Sequence, residues 1–188
     1  MGMPQMSEPW TAERVRALPD DGNRYELIEG RLVVTPAPRG LHQVALEELG
    51  ALLRQALAGS AAGHLLRSPA DISLGEDEVL QPDLFVYRTA SGRKLADWTD
   101  ITALLLVVEV ISPSSARYDR QLKRLRYQRA RVPEYWVVDL DARVVERWRP
   151  DDERPEILTE RLRWELAPGA APVEFDLAAY FADVCGSA

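Results

Sequence analysis

Residues 103–111 read Ala-Leu-Leu-Leu-Val-Val-Glu-Val-Ile, and no other stretch narrows the possible folds of this chain as much. The run lacks the apolar–polar alternation of a half-exposed strand, so it predicts a strand at 104–111 covered on both faces, near the middle of a sheet. It is far shorter than the roughly 20 apolar residues that cross a bilayer, and no membrane span is expected. Glu109 lies inside it. An unpaired carboxylate in such a place is costly. The cost can be met by a metal ion, by a cationic partner or by protonation through a raised pKa, all of them devices that active sites use. The plainer alternative is a glutamate at the C-terminal edge of the strand that meets water or pairs with an arginine.

Elements on either side are readable from periodicity. A short helix is expected over 10–18, ended by Pro19 and the turn cluster at 20–23. Strands at 24–28 and 31–35 are separated by Glu29-Gly30, a two-residue loop that predicts a hairpin. Leu41, Val44, Ala45, Leu49, Leu52, Leu53 and Leu57 recur at spacings of three and four, the stripe of a long helix packed on a sheet. Strands at 70–74 and 79–87, a helix at 116–131 closed by Val132-Pro133, a hairpin of 134–140 with 143–148, a strand at 156–165 and a terminal helix at 177–184 complete the expectation. No internal repeat or break in composition divides the chain, so residues 1–188 read as one domain.

Composition removes several function classes. The single cysteine, Cys185, excludes an internal disulfide and a cysteine zinc cluster, and with only His42 and His64 as imidazoles zinc chemistry lacks its ligands. The N-terminus does not look like a secretory signal, so the cytoplasm is the expected location. Phosphate loops, dinucleotide fingerprints, nucleophile elbows and His-Glu-x-x-His motifs are missing from the sequence. A net charge of −7 argues against coating nucleic acid by bulk charge. The segment 116–131 differs, with seven basic residues (Arg117, Arg120, Lys123, Arg124, Arg126, Arg129, Arg131) against the single acid Asp119. Such a run is usually a solvated face. Its concentration on an acidic chain would nevertheless suit a polyanion approaching from one side, with Tyr118 and Tyr127 available for packing or stacking. Asp119, Lys123 and Tyr127 share a helical face, and an intrahelical ion pair would explain the first two.

Gln81-Pro82-Asp83 interrupts the preceding strand, because Pro82 removes a ladder donor and biases Gln81 toward extended geometry. Alone it is an ordinary turn dipeptide. Beside Glu109 on a neighbouring strand, Asp83 becomes half of a two-carboxylate site of the kind magnesium uses together with water and substrate phosphate.

Five ordered segments, Tyr25-Glu-Leu-Ile-Glu-Gly30, Gln81-Pro-Asp83, Val108-Glu-Val-Ile-Ser-Pro-Ser114, the Asp119–Lys123–Tyr127 spacing and Pro133-Glu-Tyr-Trp-Val-Val-Asp139, resemble the Uma family of bacterial endonucleases over about residues 20–150. That family belongs to the PD-(D/E)XK, or restriction-endonuclease-like, superfamily. The resemblance implies an α/β fold, a mixed sheet flanked by helices, with a site that uses magnesium or manganese. It assigns Asp83 and Glu109 as metal ligands. The usual lysine two residues after the second acid is Ile111 here, and the resemblance moves that role to Lys123 on the following helix. Glu26 matches the acid of the Tyr-Glu-Leu element and is a further candidate metal or water ligand, although hairpin glutamates are commonly just solvated. His42, near the start of the long helix, stands where related sequences often carry a histidine, and could orient a phosphate or water. A lone histidine there is as often inert, and His64 has no supporting constellation.

The implied activity is hydrolysis of phosphodiester bonds in DNA, with a homodimer as the arrangement suited to cutting two strands. The alternative is a nuclease-fold module that binds DNA or a protein without cleaving, since Ile111 replaces the usual lysine. A metal-dependent enzyme for smaller phosphorylated substrates ranks last.

Overall fold

A computed structural model of the chain describes residues 9–58, 63–90, 95–166 and 169–186. Its elements run α1 (Ala12–Arg16), β1 (Arg24–Ile28), β2 (Arg31–Thr35), α2 (Gly40–Leu57), β3 (His64–Arg67), β4 (Leu84–Thr89), β5 (Ile101–Val110), a π-helical segment (Tyr118–Lys123) continuous with α3 (Arg124–Arg129), β6 (Glu134–Asp139), β7 (Val144–Trp148), β8 (Glu156–Leu158), β9 (Arg161–Trp164), β10 (Val173–Asp176) and α4 (Leu177–Cys185). Six strands make one mixed sheet in the order β3-β4-β5-β6-β7-β8, and only β5 with β6 is parallel. The apolar run is thus an interior strand, buried from residue 104 to 110. No described helix is long and apolar enough to cross a membrane.

Strand periodicity divides the sheet into two faces. Leu84, Val86, Leu106, Val108, Val110, Trp136 and Val138 pack against Leu46, Leu49 and Leu53 of α2 and against α4. Phe85, Val107, Tyr135 and Val137 point the other way, onto Tyr127 of α3 and Ile28 and Val33 of the β1–β2 hairpin. The parallel pair β5–β6 needs a crossover, and the π segment with α3 supplies it on this second face. By the same alternation Asp83 shares the face of Phe85, and Glu109 that of Val107. The helix carrying Lys123 therefore covers the sheet face on which both acids stand.

Several expected elements differ. Residues 70–74 do not form a strand, and Val79 and Leu80 make only isolated bridges, to Leu27 and Ile72. Pro82 cannot donate to a ladder, so β4 starts after it, at Leu84. The expected strand over 156–165 is split into β8, on the edge of the large sheet, and β9, which pairs with β10. The edge strand β3 was not legible, because its four residues carry no alternation. The helix expected at 116–131 takes a π turn over Tyr118–Lys123, in which the Arg124 N–H reaches the Asp119 carbonyl five residues back. It ends where Arg131 adopts a left-handed conformation at φ 57°. The β1–β2 hairpin is as expected: Glu29 and Gly30 both have positive φ, 51° and 74°, the geometry of a tight two-residue turn.

The core pattern is checkable by denaturant unfolding. Leu53→Ala, at a fully buried position against the sheet, should lower stability by about 2–5 kcal/mol. Leu41 and Val44, read from the sequence as part of the stripe, stand exposed on the same helix, and Val44→Ala should stay within about 0.5 kcal/mol. Equal losses at Leu53 and Val44 would contradict the orientation of α2.

Candidate active site

In the β4–β5 ladder Leu84 faces Val108 and Phe85 faces Val107, so extending the register by one residue sets Asp83 opposite Glu109. Side chains take over where the ladder stops at Pro82. The Val110 N–H donates to Asp83 Oδ2 at 2.9 Å, and the Asp83 N–H is directed at Glu109 Oε2 at 3.4 Å. Facing residues on one side of an antiparallel pair bring their side chains together. The two acids are thereby adjacent and almost fully buried.

Arg24 Nη1 donates to Asp83 Oδ1 at 2.7 Å, and His42 Nε2 lies 3.1 Å from Asp83 Oδ2. Arg24 comes from β1, His42 from the first turn of α2 and the Val110 N–H from β5, so three separate elements meet on one carboxylate. His42 faces this acid and is largely buried, and its Nδ1 has no partner among the described residues. Arg24 went unremarked in the sequence. The available signal was its position two residues before Glu26 on a strand, which places both on one face.

Lys123 binds the other half of the site. Its Nζ lies 2.9 Å from Glu26 Oε2, 3.1 Å from Glu109 Oε1 and 3.1 Å from Asp119 Oδ1. Glu26 is held from behind, with the Gln81 N–H donating to Oε1 at 2.7 Å, and is buried, not solvated. Asp119 is fixed through its own backbone, since the Tyr135 hydroxyl donates to the Asp119 carbonyl at 3.0 Å. The π turn lies at the residues that bear Asp119 and Lys123, a placement common at functional sites.

This environment pushes the acids apart. Burial would raise the Asp83 pKa, but the hydrogen bond from His42 and the charge of Arg24 hold it far below the usual carboxylate range. Burial drives Glu109 well above that range; Lys123 only partly offsets this, and Asp83, Asp119 and Glu26 add to the rise. Glu26 is likewise raised by burial against the pull of Lys123. For Lys123, burial favours the neutral amine, yet Asp119, Glu109 and Glu26 outweigh it and keep the ammonium protonated well beyond the normal range. Carboxylates with such opposed environments are a mark of functional sites.

A divalent cation, implied by the resemblance, fits this donor set. Four acids, Glu26, Asp83, Glu109 and Asp119, face two fixed cations, Arg24 and Lys123, a formal excess of two negative charges. The donors are mainly carboxylate oxygens, the chemistry of magnesium and manganese. Among the described residues no three His, Cys, Asp or Glu side chains form a ready-made metal cage. A site of two carboxylates completed by water and phosphate needs none.

All five candidate residues line or back a single cleft of about 360 Å3, with Arg24, His42, Asp83, Glu109 and Lys123 among its walls and the loops 36–39 and 112–115 at its rim. Ile111 also lines it, just past the end of β5. The basic segment is a different matter. Arg120 pairs with Asp139 and Glu146, Arg126 with Glu78, Arg129 with Glu29 and Arg131 with Asp151. Arg124 stacks 4.5 Å over Trp148, and Lys123 is enclosed by acids. The cationic stripe is thus mostly neutralised within the fold, because the acids that match it come from distant parts of the chain. Tyr118 lines the cleft and remains half-exposed, whereas Tyr127 is fully buried and unavailable for stacking. His64 stands on β3 with its ring 5.6 Å from that of Tyr87.

The fold is shared with a crystal structure described as a putative nuclease belonging to DUF820 from Anabaena variabilis ATCC 29413, with a TM-score of 0.75, 20% sequence identity and coverage of 94% of this chain and 99% of that one. No curated protein matches the chain. The family model Uma2, described as "Putative restriction endonuclease", matches residues 12–179, which take in both strands of the carboxylate pair, the π segment and the hairpin that carries Glu26. The chain belongs to the Uma2 family.

Proposed function

We propose that this protein is a magnesium- or manganese-dependent nuclease that hydrolyses phosphodiester bonds in DNA. The observation that carries the reading is the facing pair of buried acids, Asp83 and Glu109, at the floor of an open cleft with an excess of negative charge around them. Family membership and the shared nuclease-like fold support it. Asp83 and Glu109 would hold the cation, and when bound it supplies Lewis acidity, drawing charge from the phosphoryl group and lowering the pKa of the attacking water. The chain's own groups provide orientation. Arg24 and His42 fix the Asp83 carboxylate, leaving it ionised. Lys123 fixes one oxygen of Glu109 and turns the other toward Asp83. Arg24 also presents a cation in the cleft wall, positioned to attract a phosphate. The rim hydroxyls of Ser112, Ser114 and Ser115 bond among themselves and are short donors suited to a sugar–phosphate backbone. Because most arginines of α3 are paired internally, recognition would fall to the cleft and its rim. Cutting both strands of a duplex would call for a second copy of the chain.

Cleavage of plasmid and oligonucleotide DNA in magnesium or manganese is the direct test. Asp83→Ala should reduce metal-dependent cleavage at least about a hundredfold, the scale of losing a principal electrostatic group of a reaction centre. Cleavage that survives this change removes the assignment. No cleavage by the wild type, together with salt-sensitive DNA binding, would favour the non-cleaving module. Glu109→Gln should be equally inactive, yet its melting temperature without metal should exceed that of the wild type, because the change deletes one charge from a buried cluster with too many of the same sign. A lower melting temperature for Glu109→Gln would show that the ion pair with Lys123 outweighs the repulsion.

A further inference from the structure

Lys123 is surrounded in a way that restricts its chemistry. An ammonium has three N–H donors and no acceptor. Three carboxylate oxygens, one each from Glu26, Glu109 and Asp119, lie 2.9–3.1 Å from Nζ; the contact with Glu109 is a hydrogen bond and the other two are ion pairs. With three acids around a buried ammonium, its charge is committed to the protein's own carboxylates, and a cation so enclosed is no proton acceptor. Its surroundings resemble those of a bound metal ion: a positive charge coordinated by oxygens from β1, β5 and the helical crossover. The oxygens stand at hydrogen-bond distance, wider than the roughly 2.0–2.1 Å shell of magnesium.

Glu109 joins the two halves of the site. Oε1 contacts Lys123, while Oε2 faces the backbone N–H of Asp83. A carboxylate shared between neighbouring cations is the layout of two-metal phosphodiesterases, whose ions stand about 3.5–4 Å apart. We propose that the Lys123 ammonium is a built-in second cation: the site loads a single divalent ion beside Asp83 and Glu109, and Lys123 permanently occupies the neighbouring position among Glu26, Glu109 and Asp119. This rests on the metal-dependent reading above and makes Lys123 a positioning residue. Supporting groups lock the arrangement. Gln81 holds Glu26, Tyr135 holds the Asp119 backbone, and the buried Tyr127 ring, 5.0 Å from that of Tyr135, closes the cluster from the protein side. Without the ammonium, three enclosed carboxylates would either take up protons or take up a metal.

Metal counting tests this independently of turnover. The probe is manganese alone, titrated into the purified chain and followed by electron paramagnetic resonance of the free ion. Wild type should bind one ion per chain, and Asp83→Ala should abolish that binding. Lys123→Ala should bind two, and manganese should raise its melting temperature more than that of the wild type. Lys123→Ala/Glu26→Gln/Asp119→Asn, which leaves Glu109 as the sole carboxylate of that position, should return to one. If Lys123→Ala does not fold even with manganese present, Lys123→Ala/Asp119→Asn, which removes one of the repelling charges, is counted in its place; two ions support the proposal and one overturns it. Two ions in wild type, or one in Lys123→Ala, overturns the built-in cation and leaves the metal-dependent reading standing. No ion in wild type overturns that reading itself.

Discussion

Two carboxylates facing each other where a β-ladder stops is the arrangement on which the rest of this structure depends. Pro82 withdraws a donor from the ladder, and the pairing of β4 with β5 continues through side chains instead of backbone. The site is therefore built where two interior strands of the sheet meet. Since Asp83 and Glu109 oppose one another in register, their separation is set by sheet geometry and not by loop conformation. The proposed cation site would need that precision, and strands supply it better than loops do.

The cost of concentrating buried acids is distributed over the fold. Arg24 arrives from the hairpin, His42 from α2 and Lys123 from the crossover helix, each neutralising or fixing a carboxylate that its own element does not carry. The crossover has a topological reason to be there, because parallel strands cannot be joined by a tight turn. Its π turn then brings Asp119 and Lys123 into the interior together. The negative excess that persists is unfavourable to the metal-free protein and favourable to a cation, the familiar exchange of stability for function.

Much of this was legible in the chain. The apolar run with its embedded Glu109 predicted a buried strand with an acid inside it, the stripe at Ala45, Leu49 and Leu53 predicted the covering helix, and Glu29-Gly30 predicted the hairpin. Short elements were not: β3 and β10 have four residues each, too few to show a period. Val79 and Leu80 read as strand because propensity is local, whereas the loss of the ladder at Pro82 is a pairing event. The arginines of the 116–131 segment misled in the same manner, since net charge along a segment says nothing about acids that fold against it.

By itself the sequence determined which chemistry is available: oxygen-rich, poor in thiols and imidazoles, with acids placed in apolar strands and a lysine on the helix that follows. These are properties of composition and period, and both survive without knowledge of partners. Only the tertiary structure decided that Asp83 lies across from Glu109, that Arg24 reaches Asp83, and that Lys123 is enclosed by Glu26, Glu109 and Asp119 instead of projecting to solvent. The electrostatic energy of a charge depends on its distance from others in space, and residues as far apart in the chain as Glu26 and Lys123 acquire that distance only when the sheet and its crossover close.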